Sequence, residues 1–445
     1  MNITLIYSPF CTPASPPYAI TRLYSFLKNN LNKSYNLNIL DLNIFFHNLK
    51  FQKPNKETLT HFAQESNKIY SQNNNLVVDG KNPEFLQECL AEILKSKPDV
   101  VAFSLIYSSQ CFYTLALIKE LKKYNIKTII GGPAVNSKLI VIADFFLKDE
   151  IELYDYITKE NVYHDEKKLN KLNYNVILDY SIYNKKDYFV PELVIPLKTS
   201  TCCFYQKCTF CTHHGNGLYQ EFSLDDIKES IIKSKAKFVF FIDDMFSKDR
   251  LLKLAEIVKP LNISWMCQLK PIKDFDEKTL QTLKESGLKL IIWGVESGCD
   301  RILKLMKKGT NKYNIQEVLE NSKRVGISNV VYIMFGFPTE TENEFIETID
   351  FLKTNDKNID LISTAIFGLQ EGSYIYSHPQ EFEIKEILKE ERTVLEPKIT
   401  YILNKGMSQE EAKKFRDKYK KTLEKINKFP KTYNFFREWM LVELN

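Results

Sequence analysis

Glycine and proline are scarce, at 14 and 16 in 445 residues, which excludes a collagen-like chain or a Pro/Gly-rich low-complexity one. No apolar run approaches the ~18 residues needed to cross a bilayer. Charge of one sign is also lacking: 61 basic residues against 56 acidic leave +5, too little over this length to mark the chain as a nucleic-acid binder. There is no internal repeat, and no GxxxxGK[ST] loop supports ATP chemistry. The start, MNITLIYSPFC, lacks a basic n-region and a small-residue cleavage site, so a cytoplasmic location is expected. What is present is ordinary globular usage, 44% hydrophobic and 26% charged, in a chain long enough for two or three domains.

Nine cysteines stand at 11, 89, 111, 202, 203, 208, 211, 267 and 299. The count is odd and four of the nine fall within ten residues, a pattern that disfavours a disulfide framework and favours metal or redox chemistry.

Up to residue 160 short apolar runs alternate with helical periodicity. Strands are expected at 2–8, 37–42, 98–106, 127–130 and 153–157, with helices at 18–30 and through Leu115, Leu117, Ile118 and Leu121. Such alternation implies parallel pairing and a doubly wound, flavodoxin-like sheet. The polar stretch 51–80 reads as an insertion with one weak helix, and 161–192 as a linker. A second alternating series predicts strands at 193–199, 238–242, 263–269, 290–295, 330–335 and 361–367, separated by helices. Six strand–helix units are too few for a closed eight-fold barrel but suit a partial (β/α)6 barrel over 193–376. Residues 377–445 read as a helical extension, with Ser408 and Glu411 as a capping box.

The strongest motif follows the first strand of the second series: Thr199-Ser-Thr-Cys-Cys203-Phe-Tyr-Gln-Lys-Cys208-Thr-Phe-Cys211. Three thiolates at C-x4-C-x2-C on a loop at a strand's C-terminal end can converge on one centre at a barrel mouth. Thiolates suit iron–sulfur or zinc. The spacing alone leaves open a Cys3His zinc site with His213 or His214, a [4Fe–4S] cluster with one open iron, and a set of buried apolar thiols.

This stretch resembles the cluster loop of radical S-adenosylmethionine (SAM) enzymes, in the lengthened T-S-R-G-C-Y-W-G-K-C-T-F-C form of members with a cobalamin domain, many of them peptide-modifying. The resemblance implies that Cys203, Cys208 and Cys211 ligate a [4Fe–4S] cluster, with Cys202 in place of a glycine and Thr201 of an arginine. Phe210 matches the aromatic position that packs near adenine. Phe241-Ile-Asp-Asp-Met-Phe246 is similar to the family's F-x-D-D-x-F, implying that the backbone near Asp243 and the Asp244 carboxylate meet the SAM ammonium; taken alone, the Asp pair could cap the next helix. Gly294-Val-Glu-Ser-Gly298 is similar to G-V-E-S-G, implying that Glu296 and Ser297 reach the SAM ribose or carboxylate; taken alone, Ser297 could be an N-cap boxed with Asp300. Met306-Lys-Lys-Gly-Thr310 and Met334-Phe-Gly-Phe-Pro-Thr-Glu-Thr341 match further family segments, with Gly336 allowing backbone to approach the adenine.

Residues 1–160 resemble the cobalamin-binding domain that precedes such barrels. Ligands of these sheets lie beyond the strand C-termini at a switch point, which implies Ser104, Gly131 and Gly132 for cobalamin. The D-x-H-x-x-G signature of His-ligated cobalamin is absent, and His47 reads as a surface residue. The acidic G-E motif expected after the fifth strand is replaced by Thr158-Lys-Glu-Asn161. Cys267 and Cys299 could face the pocket but read as barrel filling, and Cys89 and Cys111 as helix or core thiols.

The resemblance implies a radical SAM enzyme whose cluster cleaves SAM reductively to a 5′-deoxyadenosyl radical that abstracts hydrogen. With cobalamin, C-methylation of a peptide or small-molecule substrate is expected; with a vestigial cobalamin domain, a rearrangement, oxidation or cross-link. A flavodoxin- or ferredoxin-type electron donor is implied, and neither a membrane nor a nucleic-acid partner is expected.

Overall fold

The computed structural model describes residues 1–174, 176–215 and 217–445. The chain forms two compact units: Met1–Leu193 with 229–235 and 391–397, and the remainder from Val194 to Asn445. Among the described residues no helix is long and apolar enough to cross a membrane.

The first unit holds a five-stranded sheet of β1 (Asn2–Tyr7), β2 (Asn36–Asp41), β3 (Val100–Ser104), β4 (Lys127–Gly131) and β5 (Phe145–Phe146) in the order β2-β1-β3-β4-β5. All pairs are parallel, so the order reverses between β1 and β3 and their C-terminal ends flank the switch point. The apolar strands β1 and β3 are buried on both faces, as expected where helices cover a parallel sheet. The expected strand at 153–157 is instead a helix, Glu150–Thr158, and β5 is only two residues long. Asp149 explains the difference. Its carboxylate accepts from the amides of Ile151 and Glu152, and Leu153, Tyr154 and Ile157 then fall on the buried face.

The stretch 51–80 is better ordered than its polarity suggests. A 20-residue helix, Leu59–Val78, buries Leu59, Phe62, Ala63, Ser66, Asn73 and Val77 at helical spacing, and its Asn and Gln residues mostly face outward. His47 is also corrected. It is wholly buried, not on the surface. One ring nitrogen lies 2.6 Å from the Asn43 carbonyl oxygen and the other bonds the Tyr70 hydroxyl, while Phe46, Phe51, Phe62 and Phe189 surround the ring. Burial pulls its pKa down to about 4. The unfolded chain takes up the proton near ~6.5, so this contribution to stability is complete above that pH and lost as pH falls toward 4. Wild type should lose about 3 kcal/mol relative to His47→Gln across that window. Urea titrations of both proteins at several pH values check this, and parallel pH profiles would refute it.

Residues 161–193 belong to the first unit: the Leu178 amide donates to Ser230 Oγ at 2.8 Å, and Lys233 pairs with Asp179 at 3.0 Å.

The second unit contains β6 (Val194–Leu197), β7 (Phe238–Phe241), β8 (Ser264–Leu269), β9 (Leu288–Glu296), β10 (Ser328–Phe335) and β11 (Leu361–Ile366). They pair in sequence order and all in parallel, with a helix between each successive pair, the arrangement of an open partial barrel. Parallel pairing puts all six C-terminal ends on one edge. Trp265 and Trp293 are wholly buried, and their indole N–H groups donate to Ser286 O and Asn329 Oδ1. Following helices are capped by Ser247, Asp276, Asn311 and a Thr341/Glu344 capping box. The expected helical extension begins instead with an antiparallel hairpin, β12 (Ile384–Glu390) and β13 (Lys398–Leu403). Lys and Glu on its exposed positions mask the strand alternation. Helices follow at Gln409–Lys418, Lys420–Ile426 and Arg437–Glu443, the first with the Ser408/Glu411 capping box expected.

Candidate active site

The cysteine loop leaves β6 at Lys198 and is clamped at its base. The Thr199 amide donates to both Asp243 carboxylate oxygens at 2.9 Å, and the Thr199 and Ser200 hydroxyls donate to Oδ1 at 3.0 and 2.7 Å. Asp243 is 2% exposed, and burial pushes its carboxyl up to about 6 against these hydrogen bonds. Arg250 donates to the carbonyl oxygens of Thr199 and Phe222. The Asp243 side chain therefore fixes the loop, and the cap of the next helix is Ser247, not the Asp pair.

At the far end, Thr209 sits between two of the cysteines. Its amide and hydroxyl donate to the carbonyl oxygens of Met306 and Leu305, both at 3.0 Å, and Tyr205 donates to the Lys307 carbonyl at 2.7 Å. The loop is thus held between β6, β7 and the segment after β9. On it Cys203, Cys208 and Cys211 are free and half-buried, whereas Cys202 is buried and accepts from Gln206 Nε2 at 3.4 Å. Burial raises the Cys208 and Cys211 thiols. Cys211 lies close enough to both Cys203 and Cys208 for their charges to interact. Among the described residues no three His, Cys, Asp or Glu side chains are gathered tightly enough for a single metal ion.

Two lysines missed as functional face these thiols. Lys308 is 7% exposed, and its ammonium bonds Glu296 Oε1 at 2.9 Å. Burial acts to lower its pKa, but Glu296 and the nearby Cys208 carry it above the ordinary lysine value. Lys270, 6% exposed, lies 3.1 Å from the Tyr205 ring centroid. Burial brings it down to about 8, with Cys208 opposing. The sequence held a signal for both. Lys270 immediately follows a barrel strand, where functional side chains collect, and Lys308 lies in the Met306–Thr310 motif. Gly294 makes room for the pair: a Cβ there would stand 2.9 Å from Glu296 Oε1 and 3.0 Å from Lys308 Nζ.

The other expected residues separate into two groups. Asp244 is close to the loop, with Lys198 at 3.4 Å and His213 at 3.7 Å. Phe210 lies under the Lys308 ammonium at 5.8 Å, and Glu296, with φ +68°, ends β9. Ser297 and Gly336 are committed elsewhere. The Ser297 hydroxyl is buried, 3.2 Å from Thr348 Oγ1, and accepts from the Cys299 amide at 3.1 Å. It does not cap a helix with Asp300; Cys299 holds that N-cap position. At Gly336, φ is +73° and a Cβ would meet Ala412 Cβ at 2.6 Å, so the helix Gln409–Lys418 accounts for this glycine. Cys267 and Cys299 are buried filling; Cys89 and Cys111 are buried in helices of the first unit.

In the first unit Ser104 ends β3 and is 5% exposed. A Cβ at Gly131 would lie 2.8 Å from Leu147 O, and at Gly132, with φ +104°, 2.4 Å from Leu105 O. Backbone crossing explains these two glycines. Gln110 bridges the β1 and β3 ends, donating to Ser8 O at 2.8 Å and accepting from the Ile106 and Tyr107 amides. The segments beyond β3 and β4 carry exposed Tyr107, Ile140 and Val141.

Residues 197–352 match the family model of the radical SAM superfamily. An uncharacterized methyltransferase of Pyrococcus horikoshii is 25% identical over 350 residues, 68% of this chain and 74% of its own. Among solved structures, the radical SAM methyltransferase TsrM from Kitasatospora setae, with cobalamin and a [4Fe–4S] cluster bound, superposes with a TM-score of 0.63 at 13% identity, covering 89% of this chain and 82% of that one. The cobalamin-dependent SAM radical enzyme OxsB, with aqua-cobalamin and SAM bound, gives a TM-score of 0.62 at 14% identity, covering 100% of this chain and 71% of that one. The fold is that of the cobalamin-dependent radical SAM enzymes.

Proposed function

We propose, from the premise that residues 197–352 form a radical SAM domain, that the chain is a cobalamin-dependent radical SAM methyltransferase. The observation that carries this is the clamped loop itself: three half-buried thiols after the first barrel strand, faced by two buried lysines, with a carboxylate at the next strand end. Cys203, Cys208 and Cys211 would hold a [4Fe–4S] cluster, the soft donor set that thiolates supply. Lys308 and Lys270 would offset the negative charge of such a centre. The cluster, when bound, supplies the electron that cleaves SAM.

The chain's own residues position and shield. Asp244 and the backbone near Asp243 would meet the SAM ammonium, a charge-assisted contact for which Asp244 would exchange Lys198. Glu296 would meet the ribose or carboxylate end and Phe210 the adenine. Ser297 and Gly336 are assigned to the shell of the fold. Cobalamin would lie on the C-terminal edge of the first unit's sheet beside Ser104, Gly131 and Gly132, against the exposed Tyr107. A peptide or small-molecule carbon is the proposed methyl acceptor.

The test is anaerobic reconstitution with iron, sulfide and hydroxocobalamin, then dithionite reduction. An EPR signal that changes on adding SAM, 5′-deoxyadenosine formation and corrinoid absorbance co-eluting with protein are expected. A colourless protein holding one zinc would overturn the reading.

A further inference from the structure

The inner face of the barrel carries polar side chains that the fold does not use. Side chains alternate between the two faces of a strand, and the register pairs Gly294 on β9 with Tyr332 on β10, and Tyr332 with Ser363 on β11. A Cβ on Gly294 would meet Glu296 Oε1 and Lys308 Nζ, so Tyr332 and Ser363 share the face on which that ion pair stands. Gln268 on β8 pairs with Ile292, two residues before Gly294, and lies on the same face. Met334, two residues after Tyr332, packs in the apolar cluster that includes Phe210. Gln268, Glu296, Tyr332 and Met334 interrupt strands that are otherwise almost wholly buried. The barrel is therefore not filled at this level, as a closed barrel's interior is.

The C-terminal helix Arg437–Glu443 closes this space from the N-terminal edge of the sheet. It packs against β7 and β8. Ser264 Oγ at the start of β8 donates to Asn445 Oδ1 at 2.6 Å, and the Asn434 side chain donates to the Ile362 carbonyl near the start of β11 at 3.0 Å. Arg437 extends inward, with its guanidinium carbon 5.3 Å from the centroid of the Tyr332 ring. Among the described residues it forms no ion pair, and neither its buried Nε nor the buried Tyr332 hydroxyl finds a hydrogen-bond partner. The side chains of Gln268 and Ser363 make no hydrogen bond to any described residue either. The two carboxylates near enough to act on the Tyr332 hydroxyl, Glu296 and Glu438, do not pair with Arg437, and Lys308 holds Glu296. A buried charge with no counter-ion in the protein calls for one from outside. The guanidinium fork matches the two oxygens of a carboxylate, and Tyr, Gln and Ser can donate to the same oxygens. One positive charge balances one negative charge; a phosphate dianion would stand undercompensated beside Glu296 and Glu438.

We propose that Arg437 and Tyr332, with Gln268 and Ser363, bind a carboxylate of the methyl acceptor, which is therefore an acid small enough to enter the barrel with that group foremost. The proposal rests on the methyltransferase reading above and names its substrate class. Anchored there, the acceptor has its carboxylate at the level of Tyr332 and the rest of its body directed past Met334 toward Phe210 and Glu296, where SAM is proposed to lie.

The test measures binding and melting in the reconstituted, unreduced holoenzyme, with SAM added to keep carboxylates off the fourth iron. Acetate and benzoate are titrated against acetamide and benzamide at constant ionic strength, by ligand-observed NMR. Wild type should bind at least one of the acids and neither amide. Arg437→Met should weaken that binding ~10-fold or more, as loss of a charge-assisted bond does, and Arg437→Lys, which keeps the charge without the fork, should retain part of it. Arg437→Met should also melt at or above wild type, since its removal strands no partner. Acids that fail to bind wild type, or that bind Arg437→Met equally well, would overturn the anchor. So would inorganic phosphate binding tighter than either acid, or an Arg437→Met melting point lowered by more than about 4 °C, the mark of a structural residue. The radical reading fails separately. Wild type that binds acids yet forms no 5′-deoxyadenosine with dithionite would overturn that reading, whereas nucleoside formation without acid binding would overturn the anchor alone.

Discussion

Cys208→Ala should reduce 5′-deoxyadenosine formation by at least ~1000-fold, equivalent to about 4 kcal/mol of barrier, with matching loss of iron, while melting within a few degrees of wild-type apoprotein. The two halves of this expectation have separate grounds. Cys208 is half-buried and free, so removing its thiol leaves the loop's anchors at Thr199, Ser200 and Thr209 intact. The adjacent pair Cys202-Cys203 makes the assignment sharper than one substitution can. Cys202 is buried and held by Gln206, so Cys202→Ala should retain iron and activity, and Cys203→Ala should lose both. Iron and sulfide analysis of the three variants, with the nucleoside measured by chromatography, decides this. Iron lost with Cys202 and kept without Cys203 would move the ligand by one position and overturn the mapping.

The loop, the two series of strands and their order were legible because each rests on local signal: thiolate spacing, apolar runs between turn residues, and helix caps. What the sequence obscured depends on which long-range partner a polar group finds. Asp149 turned an apolar run into a helix by capping it, and His47 looked like a surface residue until Tyr70 arrived from a helix 23 positions away. Gly336 carried a motif that suggested a ligand, yet Ala412 occupies the space its missing Cβ leaves. Ser297 likewise spends its hydroxyl on Thr348. Motif matching marked the strand ends around which the proposed site is built. It could not tell side chains aimed at a ligand from those holding the shell, nor reveal that Lys270 and Lys308 face the thiols.

Lys308→Met should destabilise the second unit by ~3–5 kcal/mol, the cost of leaving a buried charge without its partner. The side chains of Lys308 and Glu296 are only 8% and 14% exposed, so water cannot replace the lost ammonium. If the pair exists for stability, a well-packed apolar replacement of both should recover most of the loss, because buried ion pairs seldom outperform hydrophobic contacts. Lys308→Met/Glu296→Leu should therefore melt close to wild type and still fail to form 5′-deoxyadenosine. That dissociation of stability from activity would show that the pair is kept for the site, through Lys308 at the thiols or Glu296 at SAM, and not for the fold. Gly294→Ala provides the steric counterpart: its Cβ must displace one partner or the other, so it should lower stability without removing either charge. Urea denaturation of the apoproteins and nucleoside formation by the reconstituted enzymes measure the two effects separately. Full activity in the double variant would leave Lys308 no part in the chemistry and reduce the pair to a packing feature.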